Sequence, residues 1–283
     1  MLGPSVVNPA EEMRQPQTQP QSQPYQGGDL THPWELPAVQ VVGERVPDLR
    51  EEQRVGTYAQ PLWTADRRFA ETRVYVRPEG SLQFEAWDIP TFNRKGPTNF
   101  QTQYELEFGL PHRFQLDLYV NPTYAGSGGR TFINQAVELR YALADWNVLW
   151  GNPTLYIEYT KQDQGPDELE SKVLFGGEIA PRLHWGSDLT YQRDFGGDFT
   201  NTYETTGGIS YTLIDSKIDF GAEAKVQFFD TRGHRGRFTD NIFLGPSIQV
   251  RPLARAHIDI VPLIGLTHES PSMQLYMVFG WEF

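Results

Sequence analysis

The sequence predicts an all-β fold: a transmembrane antiparallel up-and-down β-barrel of about 12 strands, preceded by an extended N-terminal segment. Three observations lead there. From residue 81 onward, segments of roughly ten residues alternate apolar and polar side chains and are separated by turn-forming residues. The connections between them alternate long and short. The last ten residues, QLYMVFGWEF, place Leu275, Met277, Phe279, Trp281 and Phe283 on one face of a strand.

Composition narrows the choice. The 283 residues include 26 glycines and 21 prolines, and 13% are aromatic. No long apolar stripe recurs at helical spacing. No run of about 18 apolar residues exists, so a transmembrane helix is excluded, whereas a crossing strand needs only alternate apolar positions. The absence of cysteine rules out disulfide and thiol chemistry. A net charge of −12 argues against a nucleic-acid partner, which calls for a basic patch.

Residues 1–28 read as a disordered tail, because RQPQTQPQSQPYQGG (14–28) cannot bury enough apolar surface to offset its chain entropy. The opening MLGPSVVNPAEEMRQ lacks the basic start and apolar core of a secretion leader. Export of a barrel would then imply a processed chain or a start assigned elsewhere. Residues 29–79 form an N-terminal periplasmic segment or partial plug. Within them VQVVGERV (39–46) has strand character and offers an added strand, and WTADRRFAETRVYVR (63–77) is basic and aromatic.

The barrel itself occupies 80–283. Its predicted strands are 81–88, 101–109, 113–121, 132–143, 153–161, 171–180, 182–192, 202–213, 217–229, 241–251, 254–266 and 273–283. Connections such as DIPTFNRKGPTN, KQDQGPDELE and DTRGHRGRFTD are long, whereas LPH, APR, IDS and PLA are short and ADWNVLWGNP is intermediate. Outer-membrane barrels sort their loops in this way, short on the periplasmic side, so both termini are expected there.

Each strand carries two faces. In RFQLDLYV, Phe114, Leu116, Leu118 and Val120 share one, while Gln115, Asp117 and Tyr119 share the other. Turning the apolar face to lipid and the polar face to a lumen accommodates both. Closure also removes sheet edges, whose unpaired amides are costly in hydrocarbon. This parity predicts that Leu116→Arg is damaging and Gln115→Arg much milder. Trp146 and Trp150, in the longest short-side turn, and Trp185, Tyr191 and Tyr211, near predicted strand ends, fit an interfacial aromatic belt, with packing in a core the alternative for any one of them.

By the same parity Glu85, Glu105, Glu107, Asp117, Glu138, Glu158, Asp219, Glu223 and Asp259 line the lumen, with Glu178, Asp188, Glu204 and Glu282. The inward bases are few: Arg140, Lys172, Lys225 and Arg251. Rings of acids favour cations, but so many carboxylates cannot all stay ionised without counter-charge. Arg67, Arg68, Arg73 and Arg77 lie just upstream. Part of residues 55–79 is expected to enter the lumen and pair these arginines with acids; the alternative is a periplasmic tail with a solvated charge run. Twelve strands lie between the eight that leave a filled interior and the sixteen or more that leave an open channel.

Catalysis finds little support. His184 and Ser187 fall on opposite faces of one strand, which argues against a serine hydrolase built on the pair. His257 and Asp259 share a face and read as a polar network. His234 and His268 lie in loops among solvated charges. The six histidines lack metal-ligand spacing and no phosphate-binding loop is present, so neither an enzyme nor a metal or cofactor is expected.

Residues 81–121 carry a glutamate-bearing strand (Glu85), the run Glu105-Leu106-Glu107-Phe108-Gly109-Leu110, and Arg113-Phe114-Gln115-Leu116 after a tight turn. This stretch resembles the opening hairpins of the Gram-negative outer-membrane proteins grouped as phenol-degradation meta-pathway-like transporters. The resemblance implies passive passage of small molecules, aromatic ones included, across the cell outer membrane, and no catalytic residues carry over. The ending on Phe279, Trp281 and Phe283 resembles the signal read by the barrel-assembly machinery. Expected partners are therefore outer-membrane lipid, that machinery, a small solute of unknown identity and a periplasmic protein docking on residues 1–79. The expectation from the whole sequence is a narrow, cation-leaning channel. The alternatives are a plugged structural barrel anchoring periplasmic partners and, behind it, an outer-membrane hydrolase.

Overall fold

The computed structural model describes residues 49–65, 67–125 and 131–283. The stretch VQVVGERV lies outside them. The described chain opens with a two-stranded hairpin, β1 (Arg54–Val55) and β2 (Gln60–Pro61). The barrel strands follow: β3 (Leu82–Phe92), β4 (Asn99–Leu110), β5 (Phe114–Ala125), β6 (Thr131–Ala142), β7 (Thr154–Lys161), β8 (Glu168–Ala180), β9 (Leu183–Asp194), β10 (Asn201–Ile214), β11 (Ile218–Asp230), β12 (Thr239–Leu253), β13 (Ala256–Gly265) and β14 (Met273–Glu282).

Each barrel strand pairs antiparallel with the next, and β14 returns to β3 through pairs such as Gly280 with Glu85 and Trp281 with Phe84. The sheet is thus a closed barrel of twelve strands with no open edge, as the sequence predicts. Among the described residues no helix is long and apolar enough to cross a membrane.

Several strands run further than their hydrophobic pattern suggests. β3 continues to Phe92 and β4 starts at Asn99, so much of DIPTFNRKGPTN is strand. Polar residues at a rim lose the alternation signal while the ladder of hydrogen bonds continues through them. The tight turns fall at one end of the barrel: Pro111–Arg113, 181–182, 215–217 and 254–255, with the longer 143–153 among them. In the first of these His112 and Arg113 both take left-handed backbone angles (φ 61° and 65°), as a sharp hairpin requires.

Sidedness follows the predicted parity. Leu118, Val137, Ile157, Leu189, Phe220 and Ile258 are exposed on the outer wall, whereas Asp117, Glu138, Asp219 and Asp259 are buried inside. An outer wall of this kind is what hydrocarbon selects.

Candidate functional site

The inner face of the barrel holds the chain's unusual chemistry, and residues 49–79 meet it. Their contacts reach strands around the circumference. The Trp63 indole N–H donates to Glu178 of β8 at 2.8 Å. Thr72 and Thr206 of β10 share a hydroxyl hydrogen bond at 2.8 Å. Glu223 of β11 accepts the backbone N–H groups of Ala70 and Glu71 at 3.1 and 3.2 Å. Gln249 of β12 donates to the Arg67 carbonyl, and Gln115 of β5 accepts the Arg77 N–H at 2.7 Å.

The four upstream arginines are nearly inaccessible to solvent. Arg67 lies 2.9 Å from Glu85 and 3.4 Å from both Glu105 and Glu107. Arg73 pairs with Glu107 and stands 3.5 Å from Glu85. Arg77 is 3.1 Å from Glu107 and 3.5 Å from Glu282. On the opposite wall Arg68 pairs with Asp219 and lies 3.1 Å from Glu51. The fork of a guanidinium lets one side chain satisfy carboxylates on several strands, which an ammonium does poorly. Glu51 belongs to the segment itself and was not among the residues expected here.

Backbone shape complements the charge. Gly176, Gly186 and Gly208 are cross-strand neighbours on β8, β9 and β10. A Cβ at Gly176 would overlap Val74, and one at Gly208 would overlap the Phe69 ring. At Gly186 it would meet Thr72 Cγ2 at 3.0 Å and Phe69 at 3.2 Å. A strand glycine often marks such a close approach. The sequence signal was present in FGG, HWGSD and TGG, at inward positions, but it needs the register to align it.

The segment sits toward the short-turn end. The Arg113 N–H donates to the Tyr58 hydroxyl at 2.7 Å, and the Tyr75 hydroxyl donates to the Ala144 carbonyl at 2.6 Å. Trp146 packs edge-on against Trp63 (5.6 Å) and Tyr75 (5.3 Å). Trp146 is therefore a buried packing residue and not part of an interfacial belt, whereas Trp150 is 82% exposed and lies beside Trp185. In the 215–217 turn Asp215 accepts the N–H groups of Arg50 and Glu51 at 2.7 and 3.1 Å. Partial burial would raise the Asp215 carboxyl, but those two backbone donors hold it below its ordinary range.

Toward the long-loop end lies a cavity of about 300 Å³. Lys172 and Lys225 reach into it, with Glu158, Glu170, Asp188 and Glu204. Lys172 contacts Glu170 at 2.8 Å, and Lys225 contacts Glu71 at 3.3 Å. Arg140 bridges Asp117 (3.2 Å) and Glu138 below. One wall is apolar, a feature the acid-lined expectation missed: Trp87, Phe243, Val261, Leu263, Tyr276 and Val278 are buried together. Their inward parity was legible, but VPLIG reads as apolar on both faces.

The histidines fall into structural surroundings. The His184 ring lies against Trp63, tilted by 45° with centroids 4.4 Å apart, and Ser187 on the other face donates to the Thr206 carbonyl at 2.9 Å. His257 lies 2.5 Å from Asp259 and 2.9 Å from Gln83. Carboxylates converge closely in two groups among the described residues, Glu85–Glu105–Glu107 and Glu105–Asp117–Glu138. Both are threaded by guanidinium groups rather than left open.

A closed antiparallel sheet with an apolar outer wall and a charged interior is a porin-like β-barrel of the outer-membrane type. No protein-family model matches the chain, and no curated protein matches it. Among solved structures, it is similar to an outer membrane channel from Pseudomonas putida F1. The two are 10% identical, with 74% of this chain and 98% of that one covered at a TM-score of 0.52. The NanC porin is 14% identical over 71% of this chain and 98% of its own, at a TM-score of 0.47. At 10% identity the likeness to that channel is one of fold.

Proposed function

We propose that this protein is an outer-membrane channel, narrowed by its own residues 49–79, that passes small solutes passively through an acid-lined lumen without a chemical step. The carrying observation is the seat of that segment: three aligned glycines and a set of strand carboxylates receive it at the short-turn end, while a cavity persists at the other. The family resemblance of residues 81–121 supports transport as the role and small molecules as the cargo. By the loop rule the short-turn end is periplasmic, which puts Phe283 and the start of the segment on that side. Planar-bilayer recording tests the proposal. Deleting residues 1–78 should raise single-channel conductance severalfold, because the segment occupies cross-section that ions would otherwise use. An unchanged trace would remove the segment from the pathway.

A second reading is favoured by the burial of Arg67, Arg73 and Arg77 among carboxylates. In it the barrel is closed and anchors a periplasmic protein through residues 1–79. It expects no conductance from the full chain and retention of a periplasmic partner in a pull-down that the truncated chain loses.

A further inference from the structure

We infer that the long-loop half of the lumen is a binding site for a small organic cation, held by Asp188, Glu204 and Glu158. This deepens the channel reading and rests on it. The cavity there is lined by seven carboxylates against five cations. Three of those cations are already engaged lower in the barrel. Arg67 and Arg73 serve Glu85, Glu105 and Glu107, and Arg140 serves Asp117 and Glu138. Lys172 and Lys225 remain, and they contact Glu170 and Glu71.

That leaves three acids without an ion-pair partner among the described residues. Glu158 accepts only neutral donors, the Tyr156 hydroxyl at 2.6 Å and the Thr160 hydroxyl at 2.8 Å. Glu204 accepts the Gln227 amide at 2.6 Å. Asp188 is the telling one. It is 1% exposed, faces the cavity, and its Oδ1 accepts no hydrogen bond from the described residues. A buried acceptor without a donor is costly, and a donor-bearing cation supplies both the missing bond and the missing charge.

Geometry separates an organic cation from a metal ion. Glu158, Asp188 and Glu204 are not among the carboxylates that converge on a single point. They stand on β7, β9 and β10, at different heights of the wall. The converging acids are occupied by guanidinium groups. A cavity of about 300 Å³ is at the small end of the range for small-molecule sites. Such a space suits a short chain or ring bearing one or two ammonium groups. Trp87, Ile89 and Tyr276 border the same cavity and offer an apolar side for its carbon skeleton.

The test uses the full chain in detergent micelles and titration calorimetry with four probes: 1,4-diaminobutane, 1,4-butanediol of the same length, succinate, and calcium ion. Saturable binding of the diamine alone is expected. Asp188→Asn should weaken it about tenfold, the usual scale for losing one charged hydrogen bond. Glu204→Gln should weaken it too, which keeps the test decisive if the first variant fails to fold. Equal responses to diol and diamine, calcium binding without diamine binding, or undiminished affinity in both variants would overturn the inference. Conductance recorded on the same preparation keeps the two readings apart. A conducting barrel that binds no diamine removes the cation site and leaves the channel.

Discussion

At the short-turn end of the lumen, three arginines from the N-terminal segment meet Glu85, Glu105 and Glu107, and little space is left between them. At the long-loop end Lys172 and Lys225 stand among more carboxylates than they can pair, around open volume. The side-chain chemistry is the same in kind, but the outcome differs because Glu85, Glu105 and Glu107 each meet a guanidinium, whereas the acids of the other half outnumber the two lysines beside them. A buried carboxylate needs both a counter-charge and donors for its oxygens. The segment brings guanidinium forks to the lower half and leaves a cavity of about 300 Å³ in the upper half. One half is thus filled by the chain itself and the other keeps a cavity.

The largest expected effects lie in the filled half. Glu107→Ala would leave Arg73 and Arg77 buried beside a lost partner and should destabilise the folded barrel by about 3–5 kcal/mol, read from urea unfolding in lipid vesicles. A loss below about 1 kcal/mol would mean that water already serves those arginines. Gly176→Leu with Gly208→Leu attacks the same half without touching charge. The added side chains occupy the places of Val74 and Phe69, so conductance should approach that of the chain lacking residues 1–78. A double variant that conducts like the parent would show that the glycine row does not seat the segment.

The wall itself comes next. Leu118→Arg, placed in hydrocarbon, should cost about 2–4 kcal/mol, whereas Gln103→Arg beside the cavity should cost about 1 kcal/mol or less. Equal costs would break the assignment of faces. Gln115→Arg is no longer a mild control. Gln115 is wholly buried, accepts the Arg77 N–H and donates to Asp117, so an arginine there meets another arginine and has no room.

A smaller effect belongs to the anchor at Asp215. Its carboxyl is depressed in the folded chain, so its contribution is fully present above the ordinary aspartate range near 4 and fades as pH falls through the lower folded value. Protease sensitivity of the segment should rise only in that acid window, and Asp215→Asn should abolish the pH dependence at a cost of about 1 kcal/mol. The smallest change in stability belongs to the open half. Glu158→Gln should alter folding by about 0.5 kcal/mol or less, yet shift the reversal potential in a salt gradient toward anions. An unshifted potential would take Glu158 off the ion path.

Much of this is legible in the sequence. Alternation over twelve segments gave the strand count, and parity gave the buried positions of Glu85, Asp117, Glu138, Asp219 and Asp259. Parity could not say which inward residues touch one another, because contact across a lumen depends on register and curvature. Nor could it find Glu51 and Glu71, which lie in the segment and follow no strand pattern. The sequence leaves Trp146 between belt and core for a related reason: a turn has no parity, so only its neighbours, Trp63 and Tyr75, reveal which way the indole points.

The sequence by itself determined the wall: two periodic faces, a closed sheet and an excess of interior carboxylates, since each follows from side-chain spacing along one strand. Only the tertiary structure decided how that excess is shared. The alignment of Gly176, Gly186 and Gly208, the arginines they admit, and the acids left over beyond them arise from strands distant in sequence brought side by side, and hydrogen-bond register sets which of them meet.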